Sequence, residues 1–154
     1  MSNKYLVVKS SDLHIKSEQL GKLNLLILLS YKYKILRILS MFFKFFKGIE
    51  LPSNCYQQKI RLIHPHGVII NTRAEIGNNV TVYQNVTVGS KQFGKKQGAP
   101  KIGNDVVIYP NAILIGDIFI GNNSIVGAGA VVVSSFPDNS IIAGNPASKV
   151  GVIE

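Results

Sequence analysis

From residue 70 onward the chain repeats every six residues. An aliphatic side chain recurs at Ile70, Ile76, Val82 and Val88, and again at Ile102, Ile108, Leu114, Ile120, Val126 and Val132. The fifth position of the eight full hexads is always Ala, Val, Ile or Ser: Ala74, Val80, Val86, Val106, Ala112, Ile118, Ser124 and Ala130. Gly, Asn and Asp dominate the positions between them. Neither the 3.6-residue helix nor the alternating strand has this period, whereas a parallel β-helix of hexapeptide repeats does. The aliphatic residue fills a prism interior, the fifth residue fits beneath the adjoining wall, and Gly or Asn supplies the left-handed backbone at the corners. Three hexads close one coil, and such coils wind left-handed, an exception to the usual crossover hand. The expected fold is mainly β: a left-handed parallel β-helix from about residue 60 to 135 with a short tail, led by an α-helical segment.

The repeat is interrupted once. Fourteen residues separate Val88 from Ile102 where six would suffice, so the glycine-rich, basic stretch 89–101 should leave the prism as a loop. Loops on a rigid scaffold are where sites are built. Ahead of the repeats, Ile35, Ile38, Leu39, Phe42 and Phe46 fall on one helical face, with Lys34, Arg37, Lys44 and Lys47 mostly away from it. That face either docks on the domain or a sister subunit, the commoner outcome, or lies on an anionic membrane surface. The longest uncharged run in the apolar region, Leu23 to Tyr31, is nine residues, and a spanning helix needs ~20. The start lacks the basic-then-apolar order of a secretory signal. Two parts result: a basic helical arm, 1–48, and a β-helix, 49–154, with its loop and C-terminal tail.

The net charge of +9 over 154 residues changes this picture little once divided. Residues 1–61 hold eleven Lys and Arg against three acids, and residues 62–154 hold six against five. A basic arm on a nearly neutral body is a poor nucleic-acid footprint. With 46% hydrophobic residues the chain does not belong among disordered sequences. One cysteine, Cys55, excludes a disulfide framework and a multi-cysteine metal centre, and no metal is expected.

The pattern breaks at its beginning. Six residues before Ile70 stands His64, in the run Leu62-Ile63-His64-Pro65-His66-Gly67, so an imidazole takes a phase otherwise aliphatic. A buried imidazole needs partners, and breaks in a consistent pattern tend to mark function. His64 is therefore a site candidate or a hydrogen-bonded histidine closing the lower end of the prism. His66 is its equal or a surface residue.

Glu50, the run HPHGVII, the run AEIGNNVTVYQNVTVG, the loop ending APKIG and the closing AGNPASKV resemble serine acetyltransferases and related sugar O-acetyltransferases. These are the hexapeptide-repeat acyltransferases, and the resemblance covers roughly residues 49–150. It implies that His64 is the general base that takes a proton from an acceptor hydroxyl, whose oxygen attacks the thioester of acetyl-CoA. It implies that Glu50 assists the base or the acceptor, and that Gly127, Ala128, Gly144, Pro146, Ala147 and Lys149 cradle the CoA. His66, Gln84 and Lys91 are candidates for an acceptor contact or second base. It further implies a homotrimer with sites between neighbours. The location expected is the cytoplasm, or the inner face of the membrane if the N-terminal helix lies on the membrane surface.

Two departures from serine acetyltransferases bear on the acceptor and on catalysis. Gly98-Ala99 stands where they carry an Arg-His pair, and Ile63 where they carry an aspartate before the histidine. The function expected first is therefore acetyl-CoA-dependent O-acetylation of a sugar hydroxyl in a surface polysaccharide pathway. The alternative is a serine O-acetyltransferase of cysteine biosynthesis. A non-catalytic β-helix assembly subunit is a third reading of another class.

Overall fold

The computed structural model describes residues 6–8, 45–52, 55 and 57–154. Almost all of them form a left-handed parallel β-helix whose three walls are parallel sheets. The first wall contains β2 (Arg61–Leu62), β5 (Thr81–Val82), β8 (Val107–Ile108) and β11 (Ile125–Val126). The second contains β3 (Ile69–Ile70), β6 (Thr87–Gly89), β9 (Ile113–Ile115) and β12 (Val131–Val132). The third contains β4 (Glu75–Ile76), β7 (Lys101–Ile102) and β10 (Phe119–Ile120). The chain visits the walls in that order on each coil.

The hexad register is the register of the core. Every aliphatic residue from Ile70 to Val132 named above is at most 4% exposed, and every small residue between them is equally buried. Directly stacked residues, such as Val82, Ile108 and Val126 on the first wall, meet as Cα partners between coils. The interior is thus aliphatic columns, sealed on all sides by backbone ladders that leave few buried polar groups unpaired.

Corners obey the expected chemistry. Between the first and second walls Asn85 (φ 57°) and Asn111 (φ 63°) take the left-handed conformation, and Asn85 Nδ2 donates to Asn111 Oδ1 at 3.2 Å. At the corner leading back to the first wall, Asn78, Asn104 and Asn122 each donate a backbone N–H to the side-chain oxygen of the residue above, ending at Asp138, all at 2.8 Å. Asparagine serves here as both turn former and rung of a ladder.

Both ends differ from expectation. The prism reaches below residue 60: Glu50 pairs in parallel beneath Ile69, its N–H donating to Val68 O and its carbonyl accepting from Ile70 N–H. At the top there is no simple tail. Phe136 pairs above Ile120 on the third wall, then β13 (Ser140–Gly144) caps the first wall over β11. It folds back as an antiparallel hairpin with β14 (Ala147–Ile153), to which β1 (Leu6–Val8) adds in parallel. The hairpin covers the edge that a bare coil would present, as open strand edges require. The expected amphipathic helix lies mostly outside the described residues. Its end, 45–47, is one helical turn with Phe45 and Phe46 exposed. Among the described residues no helix is long and apolar enough to cross a membrane.

Candidate active site

His64 does not occupy the interior. The chain takes eight residues from Leu62 to Ile70, against six from Val82 to Val88 directly above. Leu62 fills the inward slot under Val82, and Gly67 and Val68 lie under Asn85 and Val86. The two extra residues, His64 and Pro65, are extruded at the corner between the first and second walls. His64 is exposed, with φ 50°, a left-handed conformation that β-carbon sterics make uncommon outside Gly, Asn, Asp and His. Counting hexads back from Ile70 gave a buried imidazole because it assumed no insertion. The pattern break is real, and its consequence is an imidazole offered to the outside.

His66, two residues on, is held differently. Lys47 Nζ donates to its Nε2 at 3.2 Å, and its carbonyl accepts from Asn85 N–H at 2.8 Å. It ties the 45–50 segment to the first coil. Glu50 stands one wall over, on the outer column Glu50, Ile69, Thr87, Ile113, Val131 of the second wall.

The corner that extrudes His64 continues upward as one edge. Above it lie Tyr83 and Gln84, then Tyr109 and Pro110, then Gly127 and Ala128, in register through Tyr83 N–H to Ile108 O, Asn111 N–H to Gln84 O and Gly129 N–H to Pro110 O. Gly127 N–H donates to Ile142 O, placing the β13–β14 turn at the top of this edge. That turn contains Gly144, Pro146 (after a cis bond) and Ala147, with Lys149 further along β14. The residues expected to cradle CoA, except Lys149, therefore gather at the top of the edge on which His64 stands at the bottom. Three coil steps of ~4.8 Å separate the two, about 14 Å.

Close approach explains Gly127. A β-carbon there would lie 3.2 Å from Ile142 O and 3.3 Å from the Ala143 Cβ, so any larger residue would push the turn away. Gln84 Oε1 is buried and accepts no hydrogen bond among the described residues. Buried acceptors are normally satisfied, so a vacant one beside His66 and beneath Pro110 suits a ligand or water.

The tyrosines were not anticipated. Tyr83 and Tyr109 stack at 5.1 Å, their planes 14° apart, between the histidine and the glycine turn. Burial, and then repulsion from the neighbouring Tyr109 phenol, raise the Tyr83 pKa above the usual 10.0. Their shared hexad position, the residue after Val82 and after Ile108, was the available signal.

Lys91 is not part of this edge. It sits across the second wall, at the corner where the loop leaves, and pairs with Gly98 in a narrow antiparallel bridge. The loop proper spans residues 90–100, with Gly89 ending β6 and Lys101 opening β7.

A model of the bacterial transferase hexapeptide family (six repeats) matches residues 99–134. The serine acetyltransferase of Bacillus subtilis (strain 168) is 39% identical over 119 residues, 77% of this chain and 55% of that protein. In three dimensions the serine acetyltransferase of Neisseria gonorrhoeae matches 60% of this chain and 36% of its own, at 38% identity and a TM-score of 0.56. That of Brucella abortus matches 83% and 54%, at 27% identity and a TM-score of 0.58. The chain carries the hexapeptide repeat of this transferase family. It spans about half the length of the curated relatives it matches.

For this hexapeptide-repeat protein the loop departure has a structural side. Gly98 has φ 142°, and a β-carbon on it would come within 2.9 Å of the Asp117 Cβ. Ala99 is buried in the core. Larger polar residues at 98 and 99 would require this corner to be rebuilt.

Proposed function

We propose that the chain is an acetyl-CoA-dependent O-acetyltransferase with His64 as its general base. The observation that carries the proposal is the shared edge: an exposed imidazole at one end, a glycine-lined turn at the other, and a vacant buried acceptor between. A neutral imidazole suits proton transfer near neutral pH. It takes the proton of the acceptor hydroxyl while the oxygen adds to the thioester carbonyl. Collapse breaks the carbon–sulfur bond, and the imidazolium returns the proton to the CoA sulfur. Gly127 and the 144–147 turn hold the CoA arm, and Glu50 acts on the acceptor from the adjoining wall.

The relatives are named serine acetyltransferases, which supports serine as the acceptor more than the polysaccharide reading that came first from the sequence. A second reading, a sugar hydroxyl, keeps one specific observation in its favour: Gly98, Ala99 and Ile63 offer no cation or carboxylate to a serine molecule. Thiol release from acetyl-CoA, with L-serine beside a panel of sugars, decides between them. Release with neither, under conditions where acetyl-CoA binds, would sink the acceptor proposals. No binding of acetyl-CoA would sink the whole reading.

The assembly we propose is a homotrimer. Apart from Thr87, the outer column of the second wall is apolar above Glu50, with Ile69 42% exposed and Ile113 and Val131 half-buried. The outer column of the first wall, Thr81, Val107, Ile125 and Ile141, is by contrast already buried. A second-wall surface packed on a neighbour would place the His64 edge in a groove. Sedimentation that finds a fully active monomer would exclude this.

A further inference from the structure

At the corner between the second and third walls the loop roofs a cleft of about 620 Å³. Arg73 lies on the lower coil, and Ser90, Lys91, Gln92, Gln97 and Gly98 come from the loop. No carboxylate lines it. Glu75, two residues from Arg73, is engaged with Lys101 at 3.1 Å, and Asp117 packs behind Gly98. Neither Arg73 nor Lys91 has an ion-pair partner among the described residues.

The cleft is also fixed. Lys91 and Gly98 exchange backbone hydrogen bonds of 2.8 and 3.0 Å, closing the loop at its base. Asp117 N–H donates to Lys96 O at 3.1 Å, and Lys96 Nζ donates to Val133 O at 3.3 Å, fastening the loop to the coils above. Two cations are thus held in a concave, polar, carboxylate-free site. Unpaired cations lining a cleft focus the field on an anion, and guanidinium and ammonium groups both suit an oxyanion.

We infer that this cleft is an oxyanion-binding subsite in which Arg73 and Lys91 hold a carboxylate or phosphate group. The inference rests on the acetyltransferase reading for its purpose, since the anion would belong to an acidic acceptor or to the CoA nucleotide. It deepens that reading: positive charge is supplied from the coil and the loop base, where position 98 supplies none.

The first test needs no turnover. Inorganic phosphate is titrated against the full chain by calorimetry, for the wild type, Arg73→Gln, Lys91→Gln and the double variant. Each single change should weaken binding about tenfold, in the range of a lost charge-assisted hydrogen bond. Circular dichroism should be unaltered, because both side chains are exposed. Phosphate binding that is undetectable in the wild type, or equal in the double variant, overturns the subsite. It leaves the His64 proposal untouched.

The second test assigns the anion by KM. If CoA supplies it, Arg73→Gln raises the KM of acetyl-CoA about tenfold and leaves that of 3′-dephospho-acetyl-CoA unchanged. If the acceptor supplies it, the KM of glucuronate or serine rises and that of a neutral sugar does not. Unchanged KM values throughout overturn the inference even if phosphate binds.

Discussion

The corner with His64 and the corner with Lys91 flank the same wall of the same prism, yet they are built from opposite materials. The first is an insertion of only two residues, backed by stacked tyrosines and closed by glycine and a hairpin turn, with Lys47 engaged by His66 at its base. The second is a long loop, rich in lysine and glutamine and pinned by backbone bonds. Apolar rings and close backbone suit a long neutral chain and a carbonyl, while cations in a polar cleft suit a charge. In the proposed function the coil fold sends chemistry and charge recognition to separate edges, and the shared interior makes both edges depend on the same columns.

The widest perturbation breaks both edges together. Ile108→Asp places a carboxylate in a fully buried column between Val82 and Val126. An unpaired buried charge costs ~3–5 kcal/mol or more, against a total stability of ~5–15 kcal/mol. The variant should be insoluble or lack a cooperative thermal transition, and a native circular dichroism melt would contradict the interior register.

Changes confined to the first edge should separate chemistry from folding. His64→Ala should lower kcat by at least ~100-fold, the low end for a lost general base, with acetyl-CoA affinity kept. His66→Ala should do less, since its ring faces Lys47. Stopped thiol-release rates with calorimetric acetyl-CoA binding distinguish the two, and wild-type rates in His64→Ala would reject the mechanism. Gly127→Val should act on the other end of the edge. Its added carbons meet Ile142 O, and crowding of ~1–3 kcal/mol should raise the KM of acetyl-CoA about tenfold while phosphate affinity at the opposite corner stays as it was.

The smallest expected effect is a pH dependence of the tyrosine stack. Tyr83 has its pKa raised by burial and by Tyr109, so its neutral form is favoured in the folded state. Above pH 10 the unfolded chain releases this proton first, and the stability contributed by the neutral phenol, fully present below that pH, is lost as pH rises through the folded value. Tyr83→Phe should flatten the fall of Tm between pH 9 and 11. An identical slope in both proteins would show that the stack does not titrate as described.

Much of this molecule is legible without coordinates. Ten aliphatic positions and eight small ones predicted the interior one by one, because a prism of three flat walls leaves each residue of a hexad a single environment. Gly and Asn predicted the corners for the same reason: few other residues tolerate a left-handed backbone. His64 was legible as an interruption, and the glycine-rich insert as a loop.

What the repeat could not carry was the effect of a local insertion on everything behind it. Whether two extra residues before Ile70 put His64 inside or outside depends on which strand of the next coil they pair with, a long-range matter. The hairpin over β11 and the pairing of Glu50 under Ile69 are likewise contacts between distant segments with no six-residue signature. The gathering of His64, the tyrosines and Gly127 on one edge is decided by stacking alone: residues one coil apart in sequence become neighbours ~4.8 Å apart in space. Local sequence determined the kind of wall and corner, and the closure of the coils decided which side chains share an edge.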